Sequence, residues 1–226
     1  MRVLLTAVAL QSPLVALPLR FLAWDDDIAV RSVSVTNNGK INALEDLHPY
    51  KRSKVFDVTI GETPLLLVAS DRKNADGKPA TVEIKITAGI SSPLVIILPD
   101  PKHPGGLRPF VIEDSQKTFS WGSLRFVNAT GKELLFRCDK SVISLPGSWN
   151  PLDFAPGGAS RNMMVQIAAK DNLKALLYTA VWEHNPDIRN LVLILPGANP
   201  ASAVVNLKTI PEDRRIIAME AVSKKP

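Results

Sequence analysis

Apolar and polar residues alternate along this chain in short runs, and turn residues end the runs. In residues 81–87, Val82, Ile84 and Ile86 fall on one face and Glu83 and Lys85 on the other, the two-residue period of a half-buried strand. Residues 29–36 alternate too and stop at Asn37-Asn38-Gly39, where Asn and Gly tolerate the positive φ of a tight hairpin turn. Apolar runs at 65–69, 94–98 and 191–195 are short enough for buried strands, and Pro99 and Pro196 close the last two. Further strands are expected at 41–47, 110–112, 124–128, 134–138, 163–168, 176–182 and 204–210. Residues 51–58 show little helical period, and 148–159 read as a loop containing Pro and Gly. Helical spacing is confined to 216–222. Many short, turn-bounded strands predict a sandwich or a barrel.

The pattern occurs twice. Ser32 to Lys40 aligns with Ser123 to Lys132 once a residue is inserted near Ala129, matching Val33 with Leu124, Val35 with Phe126, Asn37 with Asn128 and Gly39 with Gly131. Pro93-Leu94-Val95-Ile96-Ile97-Leu98-Pro99 parallels Asn190-Leu191-Val192-Leu193-Ile194-Leu195-Pro196, and Glu113-Asp114 parallels Glu212-Asp213. Three matches in one order predict an internal duplication. The expected fold is therefore all-β, with two tandem β-sandwich domains that are immunoglobulin-like in general layout. The expected boundaries are 24–115 and 119–213, with a tail at 214–226.

The N-terminus changes the picture. Arg2 is followed by an uncharged stretch to Leu19 that Gln11, Ser12, Pro13 and Pro18 interrupt. A positive start and an apolar stretch predict an export signal over 1–23, and the prolines and Arg20 argue against a stable membrane span. The chain is then secreted or periplasmic; without cleavage it is cytoplasmic. Eighteen prolines against twelve glycines suit short strands. The net charge is +5, and +3 without Arg2 and Arg20, from 25 basic against 22 acidic residues. These charges are scattered rather than striped, so nucleic acid is not an expected partner.

Chemistry is sparse. A lone cysteine, Cys138, shares an alternating face with Leu134 and Phe136 and reads as a small buried hydrophobe. His48, His103 and His184 are far apart and lack metal-ligand spacing. Asp25-Asp26-Asp27 lacks the glycine-punctuated loop of a calcium site. There is no nucleophile elbow, phosphate loop or dinucleotide fingerprint, so no catalytic residue, cofactor or metal is assigned. The binding candidates are Trp149, Asn150, Asp153 and Phe154, where aromatic faces beside polar groups suit a sugar ring. His184 serves a metal-binding or enzymatic alternative.

The resulting expectation is a non-catalytic, exported binding or structural protein of a bacterial-type cell envelope, built from two repeated β-sandwich modules. Its partners would be an envelope protein or a glycan. The alternative is a carbohydrate-binding protein centred on Trp149.

Overall fold

The computed structural model describes residues 15–60, 63–197 and 204–223. The chain divides into two compact units, Met1–Glu113 and Asp114–Pro226. Both are β-sandwiches, and the four four-stranded sheets make two similar halves.

Unit 1 runs β1 (Val15–Ala23), α1 (Asp26–Ala29), β2 (Val33–Asn37), β3 (Lys40–Ala43), β4 (Phe56–Ile60), β5 (Leu66–Lys73), β6 (Pro79–Glu83), β7 (Pro93–Pro99) and β8 (Leu107–Glu113). One sheet has the order β4-β1-β7-β8 and the other β3-β2-β5-β6. Unit 2 runs β9 (Leu124–Asn128), β10 (Leu134–Cys138), β11 (Ser141–Leu145), β12 (Leu152–Phe154), β13 (Arg161–Ala169), β14 (Asn172–His184), β15 (Ile188–Pro196), β16 (Val205–Asp213) and α2 (Arg214–Ser223). Its sheets are β12-β9-β15-β16 and β11-β10-β13-β14. Each strand of unit 1 thus has a counterpart eight strands later. The first and second strands of each unit lie in different sheets, unlike strands A and B of an immunoglobulin constant domain.

The register corrects where the repeat lies in the sequence. β1 is parallel to β7, with Arg20 opposite Leu94 and Phe21 opposite Val95. β9 is parallel to β15, with Arg125 opposite Leu191 and Phe126 opposite Val192. Leu19-Arg20-Phe21-Leu22 is therefore the partner of Leu124-Arg125-Phe126-Val127. The parallel between residues 93–99 and 190–196 agrees with the topology, since β7 and β15 are equivalent. The alignment of 32–40 with 123–132 does not, because β2 corresponds to β10 and not to β9. Asn38 (φ 49°) and Gly39 (φ 75°) turn the β2–β3 hairpin, while Gly131 (φ 73°) lies between β9 and β10. The same left-handed backbone requirement selected similar residues at two different connections.

The expected leader overlaps the first strand of unit 1. Residues 15–23 form a strand whose first part, Val15–Leu19, pairs with β4 and whose second part, Arg20–Ala23, pairs with β7. Leu19, Phe21, Leu22 and Ala23 are fully buried. Unit 1 therefore starts before residue 24, and cleavage after Ala23 would remove an inner strand. Residues 1–14 of that leader lie outside the described residues.

Further differences have local causes. The strand expected from residue 29 begins at Val33, because Asp25 caps α1 by accepting a hydrogen bond from the Ile28 amide at 2.9 Å. This also gives the three aspartates a structural role. β4, β11 and β12 were not anticipated; each is five residues or fewer and takes its conformation from a neighbouring strand. The expected tail carries α2, and Val205–Asp213 continues as strand beyond residue 210.

Each core lies between the two sheets of its own unit. In unit 1 it joins Leu19, Phe21, Val95 and Ile97 to Val33, Val35 and Leu67. In unit 2 it joins Leu124, Phe126, Val192 and Ile194 to Leu134, Phe136, Val165 and Ile167. The Phe126 and Phe136 rings stand 4.6 Å apart between the sheets. Cys138 belongs to this core, with Sγ 3.6 Å from Met163 Sδ, and burial pushes its thiol pKa up.

Candidate functional site

The five residues singled out as binding candidates do not form one surface. Phe154 packs on the core of unit 2, its ring 5.5 Å edge-to-face from Phe136. Strand alternation turns its neighbour Asp153 to the other side of β12. There both Asp153 carboxylate oxygens accept from the Arg125 guanidinium, from Nε and Nη2 at 2.6 Å each. Trp149 is half-buried before β12 with φ 64°, a conformation that bulky residues rarely adopt. Asn150 is exposed. His184 is on the opposite sheet, at the end of β14, 4% exposed and with Nε2 3.3 Å from the Gly158 carbonyl oxygen. Trp149 and Phe154 are each half-buried, and an ion pair claims Asp153.

The main polar constellation of unit 2 lies elsewhere. Arg189 on β15 is 2% exposed and donates from Nη1 to the Phe119 carbonyl at 2.9 Å and from Nε to Glu212 Oε2 at 2.6 Å. Its Nη2 contacts Glu212 Oε2 and stands 3.7 Å from Asp114 Oδ2. Both acids are almost wholly buried. The Phe119 ring faces two guanidinium groups, with Arg125 Cζ at 4.6 Å and Arg189 Cζ at 4.9 Å from its centroid, and the Trp121 ring is 5.1 Å from Arg189. A cation over an aromatic face is attracted by the ring quadrupole. Segment 114–123 is thereby tied to β9, β15 and β16. The sequence carried a signal for this cluster: Arg125 and Arg189 each interrupt a strand of apolar residues, where an unpaired charge would be costly to bury.

A shallow groove of about 340 Å³ in unit 2 is lined by Leu124, Val181, Trp182, Glu183, Asn190 and Thr209. The indole of Trp182 packs on the core and donates Nε1–H to Tyr178 Oη at 2.9 Å, so its one polar atom is already engaged. His48 accepts at Nδ1 from the Tyr50 amide and His103 at Nδ1 from the Gly105 amide; each bond shapes its own loop. Among the described residues no three His, Cys, Asp or Glu side chains are grouped to share a metal ion. No helix among them is long and apolar enough to cross a membrane.

Chemically, the buried guanidinium groups of unit 2 are held by carboxylates, Arg125 by Asp153 and Arg189 by Glu212 and Asp114. No protein-family model matches the chain, and the curated proteins contain no match to it.

Proposed function

We propose that the protein is a non-catalytic binding or structural component of a bacterial-type cell envelope, built from two copies of one β-sandwich module. The observation that carries this reading is the use of the buried charges in unit 2. Arg125 is spent on Asp153, and Arg189 on Glu212, Asp114 and the Phe119 carbonyl. Groups tuned for proton transfer or nucleophilic attack are held within reach of a reacting atom; these are held against each other and fasten a segment to a sheet.

A surface for contact is offered by the outer face of β13 and β14. Met164 stands opposite Val181 in the register, and both are more than half exposed. The envelope setting rests on the apolar start of the chain. Because β1 begins at Val15, processing compatible with this fold falls before that residue.

The test is fractionation of cells that express the full chain with a C-terminal tag, followed by crosslinking in the envelope fraction and N-terminal sequencing. A discrete crosslinked envelope partner is the expected result. Retention in the cytoplasm removes the envelope setting, and a mature N-terminus at Trp24 with both units folded overturns the assignment of β1.

A further inference from the structure

The arginines of unit 1 show a convergence that the fold does not use up. The β7–β8 connection, Asp100-Pro101-Lys102-His103-Pro104-Gly105-Gly106, is closed by its own backbone. The Asp100 amide donates to the Gly106 carbonyl at 3.0 Å, and the Gly106 amide to the His103 carbonyl at 2.7 Å. Two prolines and these bonds make the loop a rigid floor. Gly105 and Gly106 are buried in it, and Gly106 has φ +65°.

Two guanidinium groups meet over Gly106. A Cβ placed on that residue would lie 2.5 Å from Arg72 Nη1 and 3.3 Å from Arg31 Nη1. Arg31 is fixed: Nε and Nη2 donate to the two oxygens of Asp71 at 2.7 and 2.8 Å, and Nη2 also donates to the Gly105 carbonyl at 2.9 Å. Those bonds leave the N–H groups of its Nη1 unused. Asp71 is engaged at both oxygens by Arg31, and the Arg72 side chain, whose charge also acts on Asp71, has no hydrogen bond among the described residues. Like charges this close repel unless an anion lies between them. One carboxylate serves two arginines, and the spare donors point to one place.

We propose that Arg31 and Arg72, over the Gly105–Gly106 turn, bind a tetrahedral oxyanion such as a phosphate or sulfate group. Guanidinium N–H groups match the oxygens of such an anion in pairs, which a lysine ammonium does not. Arg31 is held in place before the ligand arrives, so only Arg72 loses freedom on binding. Gly106 leaves room for Arg72 over the turn, since a Cβ there would come 2.5 Å from its Nη1 and push that flexible side chain aside.

Inorganic phosphate is the probe, titrated into the full chain at constant ionic strength and followed through the amide resonances of Gly105 and Gly106. The expected result is a saturable shift, with sulfate behaving alike and chloride giving none. Arg72→Ala should weaken binding about tenfold or more, the loss of charge-assisted hydrogen bonds, and Arg72→Lys should restore it in part. The Arg72 side chain is exposed and makes no hydrogen bond among the described residues, so the unliganded Arg72→Ala protein should melt at the wild-type temperature. Equal shifts with chloride, no saturation, or unchanged affinity in Arg72→Ala would overturn the site.

Discussion

Arg20 on β1 and Arg125 on β9 hold the same place in the two units. Arg20 stands in register with Leu94 and Arg125 with Leu191, and each precedes a buried phenylalanine, Phe21 or Phe126. This relationship makes β1 a member of the module rather than an appendage.

Removal of residues 1–23 should therefore abolish the folding of unit 1. Leu19, Phe21 and Leu22 are fully buried, and each such side chain is worth about 1.5–3 kcal/mol, against a total stability of about 5–15 kcal/mol for a domain. Urea unfolding of the 24–226 chain should show one cooperative transition, that of unit 2. Two intact transitions would return β1 to the status of a leader.

Arg189→Ala should destabilise unit 2 by about 3–5 kcal/mol, because Glu212 and Asp114 would stay buried without their cation. Arg189→Met should cost less than Arg189→Ala, since it keeps the apolar contact with Phe119. Chemical denaturation of both variants measures the difference.

Phe136→Ala should lose about 3–5 kcal/mol, since the ring is fully buried and touches Phe126, Phe154 and Trp182. Phe154→Ala should lose less, because Phe154 is half-buried. Calorimetry of the two variants gives the order. A Phe154 variant of wild-type stability would free that ring for ligand contact.

Asp213 titrates at about 2, well below its ordinary value of 3.8, because the Arg215 side chain donates to its carboxylate and the Arg215 amide adds a second bond. A lowered folded-state pKa stabilises the ionised form. Its contribution is present above pH 3.8 and disappears as pH falls from there through about 2. NMR titration should place the midpoint near 2, and Arg215→Ala should move it up towards 3.8.

Cys138 should resist thiol reagents in the native protein and react on unfolding. It is 3% exposed, and burial holds its thiol in the neutral, unreactive form. Labelling with and without denaturant checks this.

The amino-acid pattern by itself determined the strand character of the chain and its doubling. The apolar runs closed by Pro99 and Pro196 are local facts, and a strand needs little more than a two-residue period to declare itself; the alternation over 81–87 marked a strand too, but β6 spans Pro79–Glu83 and stops before Ile84. The position of Cys138 in the core was readable for the same reason. Residues 15–23 fell inside the expected leader because a strand whose Leu19, Phe21, Leu22 and Ala23 are all buried is as apolar as an export signal, and its pairing with β4 and β7 is not written in that stretch. The candidate residues were separated for a related reason. Sequence proximity placed Asp153 beside Phe154, but successive side chains of a strand point to opposite faces, so one went to Arg125 and the other to Phe136. The meeting of Arg31 with Arg72, and of Arg125 with Arg189 across Phe119, depends on which strands lie side by side. That is a property of long-range pairing, and no short stretch of the chain contains it.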